Sequence, residues 1–299
     1  MTEIEDKRKL LANPLHGIVI PIGLILFGTW LFSWSYMPYT IAFIIVVCSV
    51  QYYLATQRRS SMHQTIWRDF ELIDRTMVAP MTAIYRFKLG RDDEVLDIPT
   101  GHHLSCVFTI DGKDELRYYS PISNQFDVGF FDILVKHYPN GKVTSKLATV
   151  QIGQTVKFRG PVGSLDYKPN ANKTLGLIAG GTGITPILQV ITSVITNPED
   201  ETELKLIFAC QAPNELLLKS ELDSIAEKYP KLSVYYTVDR PTEDWTGGVG
   251  YVSKKMIEDM FGDGKQDTKV MMSGPPAMKS HVHELLEELE WDKEKIFYF

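Results

Sequence analysis

Four short segments of the chain carry residue types that hold phosphates and flat rings. The first is Ala179-Gly180-Gly181-Thr182-Gly183-Ile184-Thr185-Pro186, set between the apolar runs 175–178 and 187–190. That order reads as strand, glycine turn and helix, which offers bare backbone N–H groups and a helix N-terminus to a phosphate. Glycine serves there because a Cβ would block close approach and positive φ angles. Pro186 stands where the last glycine of G-x-G-x-x-G would be, so this segment alone reads as a nucleotide-binding turn, with a ligand-free strand-to-helix turn as the plainer alternative. The second segment is Arg117-Tyr118-Tyr119-Ser120, which combines a bidentate pyrophosphate grip, a flat ring and a hydroxyl donor. The third, Gly141-Lys142-Val143-Thr144, supplies backbone N–H groups, a cation and a hydroxyl suited to phosphate. The fourth is Ser273-Gly274-Pro275-Pro276. The last residues, Ile296-Phe297-Tyr298-Phe299, form either a plain edge strand or a cover for the open face of a flat ligand.

Two kinds of domain would position these segments. Over residues 61–168, short alternating or β-rich runs fall at 83–89, 103–110, 116–119, 130–137 and 155–158, with turns at Gly90, Asp111-Gly112, Asn140-Gly141 and Gly160-Pro161. This pattern predicts a small antiparallel β-barrel. Over 169–299, strands at 175–178, 204–208, 232–238 and 269–272 alternate with helices near 185–196, 215–228, 253–260 and 277–289. Such alternation predicts a doubly wound parallel sheet, whose ligands bind beyond the carboxyl ends of the strands. The glycine turn, Asp239 and Ser273-Gly274-Pro275 all fall at such ends. The Asp239 carboxylate is placed to take ribose hydroxyls and to repel a 2′-phosphate, although Arg240 beside it would accept one.

The net charge of −6 excludes a nucleic-acid partner of the usual basic kind. Three scattered cysteines, Cys48, Cys106 and Cys210, make no disulfide framework or four-thiolate cluster, and the histidine spacing predicts no metal site. Residues 1–60 read differently. No Asp, Glu, Lys or Arg lies between Lys9 and Arg58. Two apolar runs, about 15–37 and 39–54, are separated at Pro38; as helices they would reach roughly 34 Å and 24 Å. Lys7, Arg8 and Lys9 before them and Arg58 and Arg59 after them place both ends on the cytosolic side of a transmembrane helical hairpin.

Taken in order, Arg-x-Tyr-Ser, the Gly-Lys-x-Thr turn, Gly-Gly-Thr-Gly-Ile-Thr-Pro, Gly-Pro-Pro and a closing aromatic resemble the ferredoxin-NADP reductase superfamily, closest to its NADH-cytochrome b5 reductase group and the membrane-anchored fungal members. The resemblance spans 68–299. It implies an α+β two-domain enzyme, an FAD-binding barrel followed by an NADH-binding α/β domain, that passes a hydride from NADH to FAD and then single electrons to an acceptor. The expected acceptor is cytochrome b5; a lipid quinone or a low-turnover flavin-binding scaffold or sensor are the alternatives. The expected site is the endoplasmic reticulum membrane with the catalytic part in the cytosol, or else the mitochondrial outer or plasma membrane.

By the same resemblance Arg117, Tyr119 and Ser120 bind FAD, with Ser120 stabilising flavin N5. Val135, Lys136 and Tyr138 line the flavin and adenine side. Gly141, Lys142, Val143 and Thr144 hold the pyrophosphate, and Thr185 lies near the flavin. Gly180, Gly181, Thr182 and Gly183 border the NADH site with Gly274 and Pro275, and Phe299 covers the flavin. Two departures stand out. Ser273 replaces the cysteine usual before Gly-Pro-Pro, a position that helps orient the nicotinamide, and Tyr118 replaces a frequent proline.

Overall fold

The computed structural model describes residues 20–56, 60–123, 126–138, 140–262 and 265–299, and the chain divides into two compact units, Met1–Arg59 and Ser60–Phe299. In the first unit, helix α1 (Ile20–Phe32) leads through a 3-10 turn at Trp34–Tyr36 into helix α2 (Met37–Thr56). The break falls at Ser33, whose extended backbone ends the first helix early, and Pro38 sits in the first turn of α2, where its missing N–H costs nothing. The expected first run, about 15–37, is thus broken at Ser33, whereas α2 contains the expected second run, 39–54. Helix α1 has 13 residues, residues 15–19 lie outside the described ones, and no helix among the described residues is long and apolar enough to cross a membrane. The two helices touch through the hydroxyls of Thr29 and Thr40 at 3.2 Å. No side chain of α1 is buried, and Leu24, Trp30 and Phe32 are exposed.

The second unit opens with strands β1 (Arg68–Ala79), β2 (Thr82–Lys88), β3 (His103–Ile110), β4 (Lys113–Tyr119) and β5 (Phe130–Lys136), then helix α3 (Lys142–Ala148) and strand β6 (Thr155–Val162). They form one antiparallel sheet in the order β4-β3-β6-β1-β2-β5. The sheet closes on itself just past β4. Pro121 bridges to Ile133, and the Ile122 N–H donates to the Asp132 carbonyl at 2.9 Å. Closure leaves few unpaired edge groups, and the inward residues form a phenyl cluster. Phe70 meets Phe131 edge-on at 5.3 Å, and Phe87 meets Phe158 at 4.8 Å. Strand β1 escaped the alternation pattern because its charged residues Arg68, Asp69, Glu71, Asp74 and Arg75 leave only Phe70 and Leu72 buried.

The remainder runs β7 (Thr174–Gly180), α4 (Ile184–Ile195), β8 (Glu203–Cys210), α5 (Lys219–Lys228), β9 (Leu232–Val238), β10 (Gly248–Val249), α6 (Lys254–Phe261), β11 (Thr268–Ser273), α7 (Pro276–Glu288) and β12 (Ile296–Tyr298). All six strands are parallel, in the order β10-β9-β8-β7-β11-β12. Every residue of β7 is buried, as befits a central strand covered on both faces. Ile187, Ile191 and Leu222 cover one face; Ile257, Phe261, Val282 and Leu286 cover the other. Helix α5 starts at Lys219 rather than 215, because Pro213–Glu215 makes a 3-10 turn and Leu218 adopts φ +57°.

Asp200 secures the chain between barrel and sheet. It is buried and accepts from the Tyr167 hydroxyl at 2.5 Å and the Thr202 hydroxyl at 2.6 Å, with the Thr202 and Asn170 N–H groups at 3.2 and 3.4 Å. Burial pushes its carboxyl up, and the bonds from Thr202 and Tyr167 more than reverse this, so it titrates below the usual range. Such a group contributes stability above its unfolded pKa and loses it as pH falls through the lower folded value. Asp200→Asn should therefore lower unfolding free energy at neutral pH by about 2 kcal/mol. In urea titrations at stepped pH, the gap from wild type should close as pH falls below about 4; a gap independent of pH would count against an ionised carboxylate there.

Candidate functional site

The order of the parallel strands reverses between β7 and β11, which makes the carboxyl ends of these two strands the switch point of the sheet. Ser273 pairs with Ala179 there, and the chain beyond each strand carries a glycine segment. Gly181–Gly183 forms a 3-10 turn that leads directly into α4. A Cβ on Gly183 would lie 2.4 Å from the Ser273 carbonyl oxygen and 2.8 Å from the Gly274 nitrogen. The two glycine segments, 91 residues apart in sequence by these numbers, thus pack backbone against backbone, a contact that no side chain would permit. Thr185 is buried, and its hydroxyl donates to the Thr182 carbonyl at 3.2 Å.

The barrel presents its candidates along a seam with this sheet. Gln189 of α4 donates to the Pro121 carbonyl at 2.9 Å, next to Ser120, while its own Oε1 is buried without a partner among the described residues. Thr100 donates to Ser193, one turn further along α4, at 2.9 Å. Lys136 of β5 pairs with Glu215 at 2.6 Å, both side chains 22% exposed. The Lys136 ammonium, expected beside the flavin, is thus engaged across the seam. The Phe299 ring reaches the same seam: a Cβ on Gly101, which has φ +76°, would lie 3.0 Å from it and 2.4 Å from Leu165.

Arg117 and Lys142 converge on one acid. Glu115 accepts from the Lys142 ammonium at 3.0 Å and has the Arg117 guanidinium at 4.0 Å. The hydrogen bond from Lys142 holds the Glu115 carboxyl below its usual range. The segment expected as a turn at Gly141 opens the seven-residue helix α3, with Gly141 as its N-cap and the Thr144 hydroxyl donating to the Gly141 carbonyl at 3.1 Å. Val143 and Val135 are buried, which leaves their backbone rather than their side chains for a ligand; Tyr138 is exposed. The Tyr119 hydroxyl is buried without a partner among the described residues, and burial pushes its phenol well above the usual range. An orphaned hydroxyl one residue from Ser120, with two cations gathered nearby, fits a polar, anionic, flat cofactor such as FAD.

Asp239 follows β9, its N–H bonded to the Cys210 carbonyl at 3.1 Å, and burial raises its carboxyl. Arg240 is drawn back to the Gln211 side chain at 2.9 Å. Cys210 lies close by, but burial pushes its thiol up to about 12 and its Sγ donates to the Glu215 carbonyl, so it remains a protonated packing residue. The cross-seam residues Gln189, Ser193, Glu215 and Gly101, and Glu115 within the barrel, were not legible as site residues. Each acts through a partner distant in sequence, and only the glycine at 101 hinted at a special position.

Two family models match the chain: an oxidoreductase FAD-binding domain over residues 69–167 and an oxidoreductase NAD-binding domain over 177–284. With the barrel, the switch point and the fit of the site, they define an FAD- and NADH-dependent oxidoreductase. Among relatives, the plasma membrane-associated coenzyme Q6 reductase PGA3 of Saccharomyces cerevisiae is 41% identical over 94% of this chain and 92% of its own length. NADH-cytochrome b5 reductase 1 of Neosartorya fischeri is 38% identical over 95% and 94%. The crystal structure of the cytochrome b5 reductase domain of Ulva prolifera nitrate reductase superposes with a TM-score of 0.75 at 30% identity, over 81% of this chain and all of that one. The chain belongs to the NADH-cytochrome b5 reductase family of the ferredoxin-NADP reductase superfamily.

Proposed function

We propose that this enzyme passes electrons from NADH to cytochrome b5 at a cytosol-facing membrane, the endoplasmic reticulum being the preferred one. The observation that carries the reading is the seam, where Gln189 of the helix that follows the glycine turn donates to Pro121 beside Ser120, and where Gly183 packs against Ser273 and Gly274 at the β7–β11 switch point. FAD, when bound, accepts a hydride and releases electrons singly, which matches a two-electron donor to a one-electron acceptor. Arg117 and Lys142 hold its pyrophosphate, with the backbone of Gly141, Val143 and Thr144. Tyr119 satisfies its buried hydroxyl on the cofactor, and Ser120 donates to the flavin ring. Val135, Lys136 and Tyr138 line the flavin and adenine side, and Thr185 and Phe299 bound the flavin. Gly180, Gly181, Thr182, Gly183, Gly274 and Pro275 admit NADH close to the backbone, and Ser273 orients the nicotinamide. Asp239 takes the ribose hydroxyls, and with Arg240 tied to Gln211 it disfavours a 2′-phosphate.

The uncharged stretch between Lys9 and Arg58 and the exposed apolar side chains of α1 support membrane association. Retention in the membrane pellet after alkaline carbonate extraction is expected; release of the intact chain would remove the anchor. A second reading, reduction of a lipid quinone, is favoured by the coenzyme Q6 reductase relative. The deciding experiment uses detergent-solubilised full chain. A flavin spectrum bleached by NADH under anaerobic conditions is expected, with faster turnover on cytochrome b5 than on a short-chain ubiquinone and a strong preference for NADH over NADPH. The reverse acceptor ranking would favour the quinone, and a spectrum unchanged by NADH would defeat both readings.

A further inference from the structure

Helix α3 rests on the barrel through little apolar surface, and two side chains grip its carbonyls from outside. Of its seven residues, Val143 and Leu147 are the buried ones, one turn apart on a single line. Such a line lets a helix roll about its own axis, and seven residues have little helical stability of their own. The first grip is the His137 ring, just past the end of β5. Its Nδ1 donates to the Thr144 carbonyl at 3.0 Å, since a carbonyl only accepts. Nε2 is then left to accept from the Tyr85 hydroxyl of β2 at 3.0 Å. Tyr85 is fully buried; burial pushes its phenol above the usual range, and a hydrogen bond from Arg75 of β1 works against that. The second grip is Arg75 itself, which donates to the carbonyl of Ala148, the last residue of α3, at 2.8 Å. The His137 N–H donates to the Met81 carbonyl at 2.6 Å, which fixes the ring from its own backbone. Side chains from β1, β2 and the end of β5 thus form one relay, Arg75 to Tyr85 to His137, that takes hold of the helix at both of its ends.

We propose that His137, backed by Tyr85 and Arg75, is a positioning residue for the FAD pyrophosphate: it sets the roll of α3 and so aims the Lys142 ammonium and the backbone N–H groups of the segment 141–144 at the phosphates. The proposal rests on the reading that this segment holds the pyrophosphate. Donors that already point the right way bind without a cost of ordering. A helix free to roll spreads them over several directions, and the loss falls on the pyrophosphate rather than on the flavin ring, which other residues hold.

Two readings on the detergent-solubilised full chain test this: FAD affinity by flavin fluorescence, and phosphorus NMR of the bound pyrophosphate at saturating FAD. His137→Phe keeps a planar ring and removes both of its hydrogen bonds. It should weaken FAD binding about five- to twentyfold and move the two phosphorus resonances toward those of free FAD. The visible circular dichroism of the flavin ring and the melting temperature should stay nearly unchanged. His137→Asn keeps an N–H able to reach the Thr144 carbonyl and should recover most of the affinity and of the resonance positions. Phosphorus resonances that do not move in His137→Phe, whatever its affinity, would overturn the role. Flavin bands that shift together with a fall in melting temperature would overturn it as well, since His137 would then be a packing residue of the barrel. Lys142→Met tests the underlying reading separately: it should move the same resonances. If it does not, the pyrophosphate lies away from α3, and the proposal falls for that reason instead.

Discussion

Gly183→Val should lower the melting temperature by about 6–12 °C and raise KM for NADH more than tenfold while FAD stays bound. The physical cause is a collision with main chain. The new Cβ would lie 2.4 Å from the Ser273 oxygen and 2.5 Å from its carbonyl carbon. Those atoms end β11, which pairs residue by residue with β7 from Thr268 to Ser273 and with β12 from Val270 to Met272. A strand held on both sides does not give way as a flexible side chain would. Either β11 shifts or the turn before α4 opens, and overpacking of this kind costs about 3 kcal/mol or more. Both responses deform the dinucleotide border, so NADH affinity suffers with stability. Barrel residues are untouched, which keeps flavin retention intact. Differential scanning calorimetry, NADH kinetics and the flavin absorbance of one preparation give all three readings. Parallel loss of flavin would show that the switch point supports the FAD site as well.

The second large effect concerns the barrel. Arg117→Ala should weaken FAD binding about 10- to 100-fold, the equivalent of losing one charge-assisted hydrogen bond of about 1.5–3 kcal/mol. Arg117 is half exposed and, among the described residues, bonds the Leu116 carbonyl at 2.6 Å with Glu115 4.0 Å away, so the fold should lose little. Glu115→Gln provides the contrast. It removes the carboxylate that Lys142 and Arg117 share, and FAD should then bind at least as tightly as in wild type. Equilibrium dialysis followed by flavin fluorescence measures both. Full flavin retention in Arg117→Ala would place the pyrophosphate elsewhere on the barrel.

Much of the architecture was written locally. After Thr174, the residues of β7 from Leu175 to Gly180 form a continuous apolar run and announce a central parallel strand. The glycine turn and Gly274-Pro275 were each recognisable, and so was their position at strand ends. Local pattern failed where charge concealed alternation, as in β1, and where short-range geometry chose a helix over a turn, as in α3. It also overextended the first apolar run: no hydropathy pattern marks Ser33 as the point where the backbone turns extended.

Taken alone, the sequence determined the two domain types, their order along the chain, and the glycine and cation segments proposed to grip phosphate, because periodicity and glycine or cation placement are properties of a few neighbouring residues. Only the tertiary structure decided which of those residues meet. Glu115 gathering Arg117 and Lys142, Gln189 reaching Pro121, Glu215 taking Lys136, and Lys279 holding Phe299 join positions between 2 and 79 residues apart. Packing of the barrel against the sheet selects the Gln189–Pro121 and Glu215–Lys136 pairs, and no local pattern encodes the shape of an interface that forms only when two separately patterned domains come together.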